Sequence, residues 1–312
     1  MKILFFVNTK LNLNNNSTSG GIETLNIELS NYLKKKNIYV ILANKISSKI
    51  KKIHWDIVIS SNDARIFDKV ISKKKILWLH NKLQIEKSFR KRQFFPILMN
   101  EIHTVFVSKY LKDITAKIYN FKTSNIIPNF LIKNFQKIKI NFNRRPIFIW
   151  SVQRSKGLKE TMDMWIKEIH INNVNAEFHI FGLTRLKNHK RYKKHNIFFH
   201  GRVDKKILVK FYKKSMAMIC LGYDETFCLN AIESMSCGLP VLSFKKTALN
   251  NLIINGINGY KVDDFKSLSR KINLIIDYNK IRRNKIINNT YKYSIRFYFM
   301  NIKKKWIRLI SK

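Results

Sequence analysis

Short apolar runs rich in β-branched and aromatic residues alternate with longer amphipathic stretches along this chain, and the alternation occurs twice. The first series is ILFFV (3–7), YVILA (39–43), DIVIS (56–60), KILWL (75–79), TVFVS (104–108) and NIIP (125–128). The second is IFIWS (147–151), AEFHIF (176–181), NIFFH (196–200), AMICL (217–221) and PVLSF (240–244). Between them lie helix-patterned segments such as IETLNIELSNYLKKK (22–36), GLKETMDMWIKEI (157–169) and KKILVKFYKKS (205–215). Strands that are apolar on both faces, separated by helices, specify parallel sheets covered on both sides. The expected architecture is therefore α/β, with two doubly wound domains. The polar, basic stretch FQKIKINFNRRP (135–146) separates the two series. The expected division is residues 1–140, residues 141–290, and a C-terminal segment 291–312. That segment contains SIRFYFMNIKKKWIRLISK, an amphipathic helix expected to pack back on the first domain.

A length of 312 residues, 45% of them hydrophobic, is enough for two cores and argues against a disordered chain. No apolar run approaches the roughly 18–20 residues that span a bilayer. The opening MKILFFVNTK has too short an apolar stretch for a signal peptide and reads as a first strand, so a cytoplasmic location is expected. Cys220, Cys228 and Cys237 have neither metal-ligand spacing nor an even count, and read as reduced, packed thiols. The net charge of +42 comes from 61 Lys and Arg spread along the whole chain rather than gathered in one arm. It suits an anionic substrate or a peripheral position on an anionic membrane surface. Asn-, Ile- and Lys-rich stretches such as KIINNTYKYS offer codon bias as a second explanation. No nucleic-acid-binding motif occurs, so no dedicated nucleic-acid site is expected.

In open α/β sheets, ligands sit at the carboxyl ends of strands. Four such loops here carry chemistry. In SGGIETLNIEL (19–29), Gly20 and Gly21 precede a helix, where bare N–H groups and the helix dipole suit a phosphate; an ordinary flexible turn is the alternative. In KILWLHNK, His80 follows directly on a strand, and is either a packed core imidazole or a functional one. In SVQRSKGLKETMDMW, Arg154 and Lys156 fill a strand-to-helix loop and could neutralise a diphosphate. In DETFCLNAIESMSCGLP (224–240), Glu225 and Glu233 flank and enter CLNAIESMSC, a segment with no other charge. With Asp224 or Thr226 as its cap, a helix running to Cys237 would put the two carboxylates eight residues, roughly 12 Å, apart. That span fits a nucleotide-sugar, with a polyol held at each end.

The stretch ETFCLNAIE followed by SMSCGLPV resembles the E-x7-E signature of retaining glycosyltransferase family 4, of GT-B fold. SGGIE, VFVSKYLKD (105–113), NIIPNF (125–130), WSVQRSKGL (150–158), FHIFG (178–182), FFHGRV (198–203) and NGINGYKV (255–262) resemble further segments of that family in the same order. The resemblance implies two Rossmann-like domains facing a cleft, with the acceptor on the first and the nucleotide-sugar on the second. It implies that Arg154 and Lys156 bind the donor diphosphate, with Gly20 and Gly21 near it. Glu233 would hold the ribose, Glu225 the transferred sugar, and His80 would sit beside the reacting sugar. Thr226, Phe227, Cys228 and Leu229 fall within the donor-binding stretch. Where the family often has Gly-Arg at the start of the phosphate loop, this chain has Ser151-Val152. The activity implied is retaining transfer of a hexose from a nucleoside-diphosphate sugar to a glycan or glycolipid hydroxyl, in cell-surface polysaccharide or glycolipid synthesis. No resident cofactor or metal is expected, since no D-x-D triplet occurs. The rival readings are a basic anion-, nucleic-acid- or membrane-binding protein on an inactive GT-B-like scaffold, and an epimerase of the same fold. HNKLQIEKSFRKRQFF (80–95) is either a lipid- or glycan-contacting stretch or a solvated helix face.

Overall fold

The computed structural model describes residues 1–11, 13, 20–152, 157–182, 189–223, 225–245 and 247–311. The chain forms two units: Met1–Ile132 joined by Phe299–Lys312, and Lys133–Tyr298. The boundaries expected after residues 140 and 290 thus fall after 132 and 298. The second unit keeps more chain because Phe135 packs beside Tyr212, with ring centroids 6.5 Å apart, and Phe297 beside Phe227 at 5.9 Å.

The first unit contains β1 (Lys2–Val7), α1 (Gly21–Lys34), β2 (Tyr39–Ala43), α2 (Ser48–Lys52), β3 (Trp55–Ser61), β4 (Ser72–Leu79), α3 (Ile85–Arg90), α4 (Phe94–Met99), β5 (Ile102–Phe106), α5 (Lys109–Ala116) and β6 (Thr123–Ile126). Its sheet runs β2-β1-β3-β4-β5-β6, every pair parallel. Ile3, Leu4 and Phe5, and Ile76 to Leu79, are completely buried, which is why these strands read as unbroken apolar runs.

The second unit contains β7 (Ile147–Trp150), α6 (Leu158–Met164) continuing as a π-helical segment (Trp165–His170), β8 (Glu177–Phe181), β9 (Ile197–Gly201), α7 (Lys205–Lys214), β10 (Ala217–Ile219), α8 (Leu229–Ser236), β11 (Val241–Phe244), β12 (Gly259–Val262), α9 (Phe265–Ile276) and α10 (Lys280–Ser294). Its sheet runs β12-β11-β10-β7-β8-β9, again parallel throughout. Phe148 and Phe178 pack on Trp165, at 5.7 and 5.2 Å between ring centroids, to fill the space over β7 and β8.

The last helix, α11 (Phe299–Ser311), belongs to the first unit, as its apolar spacing predicts. Trp306 is fully buried with its ring 4.6 Å from that of Trp78, and Lys74 Nζ donates to the Leu309 carbonyl at 2.5 Å.

The helix expected over 224–237 is shorter: α8 begins at Leu229, after Cys228 in a left-handed conformation (φ 67°). Glu225 and Thr226 therefore precede the helix, and the 12 Å helical spacing to Glu233 does not apply. The backbone instead turns at Gly222, whose carbonyl accepts from Glu225 N–H at 3.0 Å. The far end of α8 matches the sequence reading. Gly238 (φ 72°) closes it, with Gly238 N–H donating to Met235 and Leu239 N–H to Ser234. The buried Arg144 covers this end too. Its guanidinium donates to the carbonyls of Tyr212 (2.5 Å), Ser215 (3.3 Å) and Cys237 (2.7 Å), where α7 and α8 finish.

Candidate functional site

Strand order in the second sheet reverses between β7 and β10, so the loops leaving these neighbours diverge and open a crevice. Those loops are the ones the sequence singles out: Ser151-Val152 after β7, and Cys220 to Leu229 after β10. Trp150 and Val152 on one side, and Cys220, Leu221, Gly222, Tyr223 and Glu225 on the other, line one small pocket there. Arg154 and Lys156, expected in the first loop, and Asp224 in the second, lie outside the described residues.

Gly157 enters α6 at φ 83°, a left-handed backbone that excludes most side chains. A Cβ there would stand 2.6 Å from Tyr223 Cε2 and 2.9 Å from Leu221 Cδ1, so glycine lets the two loops meet. Asn230, in the first turn of α8, donates to the Ser151 carbonyl and ties α8 to the end of β7. The Ser151 hydroxyl is bonded to Tyr212 Oη at 2.8 Å. Cys228 offers no capping side chain to α8; its sulfur lies 3.4 Å from that of Cys220, both buried. Phe227 is buried against Phe297.

Glu233 is 6% exposed, one turn into α8 beyond Leu229. Burial raises its carboxyl above the ordinary carboxylate range, while the ammonium of Lys205 pulls it back. Lys205 Nζ lies 3.3 Å from Glu233 Oε1 and 5.7 Å from the centre of the Phe135 ring. Lys205 opens α7, whose cap is the Asp204 side chain accepting from Lys206 N–H. Sequence reading missed this lysine, for nothing distinguishes DKK at a helix start from the chain's other basic pairs.

The first unit holds the remaining candidates. Its strand order reverses between β1 and β3. His80 follows β4, buried, with its ring 4.6 Å from Trp78 and its backbone N–H donating to Asn62 Oδ1 at 2.7 Å. Burial pushes its pKa down to about 3, so the imidazole is neutral at physiological pH. Gly20 caps α1 in an extended conformation (φ −76°, ψ 178°) that any residue adopts. What the missing side chain leaves is room for the Glu23 carboxylate, 2.5 Å from where a Cβ would lie; Gly21 is the first helical residue.

A second pocket, which the sequence did not reveal, opens at the β1/β3 reversal. It is lined by Asn8, Asn44, Lys45, Asp63 and Arg65 among others. The buried Asp63 is held by Asn8 Nδ2 (2.8 Å) and by a forked Arg65, Nε to Oδ1 at 2.9 Å and Nη2 to Oδ2 at 2.5 Å. Among the described residues, no cluster of three or more His, Cys, Asp or Glu could hold a metal ion. Among those residues, too, no helix is long and apolar enough to cross a membrane.

Known proteins resemble this chain in sequence or in fold. An uncharacterized glycosyltransferase of Methanocaldococcus jannaschii, MJ1178, is 26% identical over 222 residues, 67% of this chain and 60% of that protein. The chain thus spans less than two thirds of that relative. HepE (Alr3699) of Anabaena, solved in complex with UDP, superposes with a TM-score of 0.73 over 100% of both chains at 16% identity. Sucrose-phosphate synthase of Thermosynechococcus elongatus does so with a TM-score of 0.71 over 99% of this chain and 98% of its own, at 12% identity. At such identities the likeness is one of fold, and it matches the GT-B glycosyltransferase architecture of two parallel sheets with flanking helices. The family model for glycosyl transferases group 1 matches residues 132–293, more than half the chain. That span carries both loops of the β7/β10 crevice, Lys205 and the whole of α8; the chain belongs to the group 1 glycosyl transferases.

Proposed function

We propose that this glycosyltransferase moves a hexose from a nucleoside-diphosphate sugar to a hydroxyl of a glycan or glycolipid, with retention of configuration and without a resident metal. The observation that carries the reading is Glu233: a buried carboxylate, braced by Lys205, on the helix that starts at the reversal point of the second sheet. Carboxylates there accept hydrogen bonds from vicinal hydroxyls, and Glu233 takes those of the ribose. Glu225, in the loop ahead of α8, takes the sugar. Thr226, Phe227, Cys228 and Leu229 form the wall between them.

Arg154, Lys156 and the α8 N-terminus meet the charge of the diphosphate as it leaves. The bond from the anomeric carbon to the diphosphate breaks, one to the acceptor oxygen forms on the same face, and the acceptor's hydroxyl proton passes to the departing diphosphate. A neutral His80 can donate one hydrogen bond to the reacting sugar without charging the site. The Asn8–Asp63–Arg65 pocket takes the acceptor. HepE, of the same fold, was solved with UDP and with UDP and glucose, which supports a donor of this class.

Thermal unfolding with UDP, GDP and ADP tests the donor reading, because a ligand at a hundred times its Kd adds about 2.7 kcal/mol. No stabilisation by any of the three, alongside salt-sensitive binding to polyanions, would point to an inactive basic scaffold. Activity is expected to survive EDTA; loss that Mn²⁺ restores overturns the metal-free donor site.

A further inference from the structure

α3 and α4 form a small helical hairpin with a buried inner face and an exposed apolar outer face. The inner face is anchored. Ser88, Gln93, Pro96 and Ile97 are buried, and Gln93 Oε1 accepts from Ala64 N–H at 3.3 Å. The outer face carries Ile85 and Phe89, four residues apart on α3, and Phe95, Leu98 and Met99 on α4. They are 50, 49, 64, 55 and 81% exposed. Phe89, Phe94 and Phe95 join the two helices, with ring centroids 4.1 to 6.2 Å apart. Singly exposed apolar residues are ordinary, but five together on one hairpin face are not. Around them stand the exposed cations Lys87, Arg90, Lys91 and Arg92, with Glu86 the acid of that turn.

We propose that this hairpin is a membrane-docking surface: Ile85, Phe89, Phe95, Leu98 and Met99 enter the headgroup boundary of an anionic bilayer while the surrounding cations hold its lipid phosphates. Apolar side chains beside a basic rim are the pattern of interfacial association. A second copy of the chain is the poorer occupant, because each surface brings its own cations and the whole chain carries +42. Nucleic acid is poorer as well. Stacking along a strand needs several open aromatic faces; Phe89 is already stacked on Phe94, Ile85, Leu98 and Met99 offer none, and Phe95 alone remains. The surface needs no donor or acceptor, so its failure would leave the sugar-transfer reading standing.

The test is sedimentation of the full chain, without nucleotide, on phosphatidylcholine vesicles with and without phosphatidylglycerol. Binding is expected to be at least tenfold tighter to the anionic vesicles and to weaken with salt. Phe95→Ser with Met99→Ser, both at exposed positions, is expected to weaken anionic-vesicle binding tenfold or more, with the unfolding temperature and UDP-induced stabilisation unchanged. Arg90→Glu with Lys91→Glu should do the same, whereas Lys304→Glu with Lys305→Glu, an equal charge change on α11, should cost less than threefold. Equal loss from the two charge-reversed pairs, or full binding by the serine pair, overturns the proposal. So does a patch-dependent dimer that ignores vesicles, or preferential binding to single-stranded nucleic acid that the serine pair abolishes.

Discussion

Lys205 Nζ lies 3.3 Å from Glu233 Oε1, joining the first residue of α7 to the buried face of α8. The carboxyl it faces is raised by burial, and the lysine is what opposes the rise. A carboxyl whose folded pKa exceeds its unfolded one binds its proton more tightly in the native state. Its contribution therefore favours folding at low pH and is lost as pH rises through the folded pKa.

Lys205→Met removes the opposing cation and moves that window upward. The variant is expected to be destabilised most near neutral pH, and to recover toward the parent as the pH is lowered to 5. Urea midpoints at pH 5 and pH 8 give the comparison. A deficit that is the same at both would mean that the ion pair does not govern Glu233.

The two glutamates are expected to separate kinetically. Glu233→Ala should weaken nucleoside-diphosphate binding by roughly 1.5–3 kcal/mol, the scale of charged hydrogen bonds. Glu225→Ala should lower kcat strongly while leaving that affinity nearly intact, since the free nucleotide carries no sugar for it to contact. Calorimetry on both variants, with turnover of the sugar donor, decides. Equal loss of nucleotide affinity would remove the separate role given to Glu225.

His80 sets an acid limit. Its folded pKa of about 3 lies below the ordinary histidine value, so the unfolded chain takes up a proton that the native one refuses. Stability is then lost as pH falls from about 6.5 toward 3, by roughly 2–4 kcal/mol at pH 4. His80→Gln cannot titrate and should lack this part of the acid loss, whatever it costs at pH 7. Parallel stability curves for the two proteins between pH 7 and 4 would show that His80 protonates freely in the fold.

Arg144 is expected to matter for stability and not for nucleotide binding. Arg144→Met leaves the carbonyls of Tyr212, Ser215 and Cys237 without these donors, at a cost of roughly 2–4 kcal/mol. Arg144→Lys should recover only part, because one ammonium cannot reproduce the spread of a guanidinium. Urea denaturation with m-values measures both; full recovery by lysine would show that charge alone suffices.

The strands were legible because parallel strands covered on both faces must be apolar throughout, and Ile3–Phe5 or Ile147–Trp150 carry that demand openly. β12 escaped notice: GYKV, behind NGIN, has one glycine and one lysine in four residues and reads as turn. The start of α8 misled for a different reason. DETF carries good capping residues, but the backbone reaches a left-handed Cys228, its sulfur 3.4 Å from that of Cys220, before the helix begins. Neither sheet order nor the Lys205–Glu233 pair was readable, since each joins residues far apart in sequence through tertiary packing alone.

The Lys74–Leu309 bond spans 235 residues, and Trp78 meets Trp306 across nearly the same distance. On a ribosome the sheet of the first unit is made early, yet the helix that covers Trp78 emerges only after residues 133–298 have been synthesised. At about 5–20 residues per second that interval is roughly 8–33 s. Throughout it, an indole belonging to a finished core faces the surroundings of a nascent chain. The sheet of the first unit thus precedes its own cover by the whole of the second unit, and a chain cut before Phe299 would leave Trp78 without the ring of Trp306.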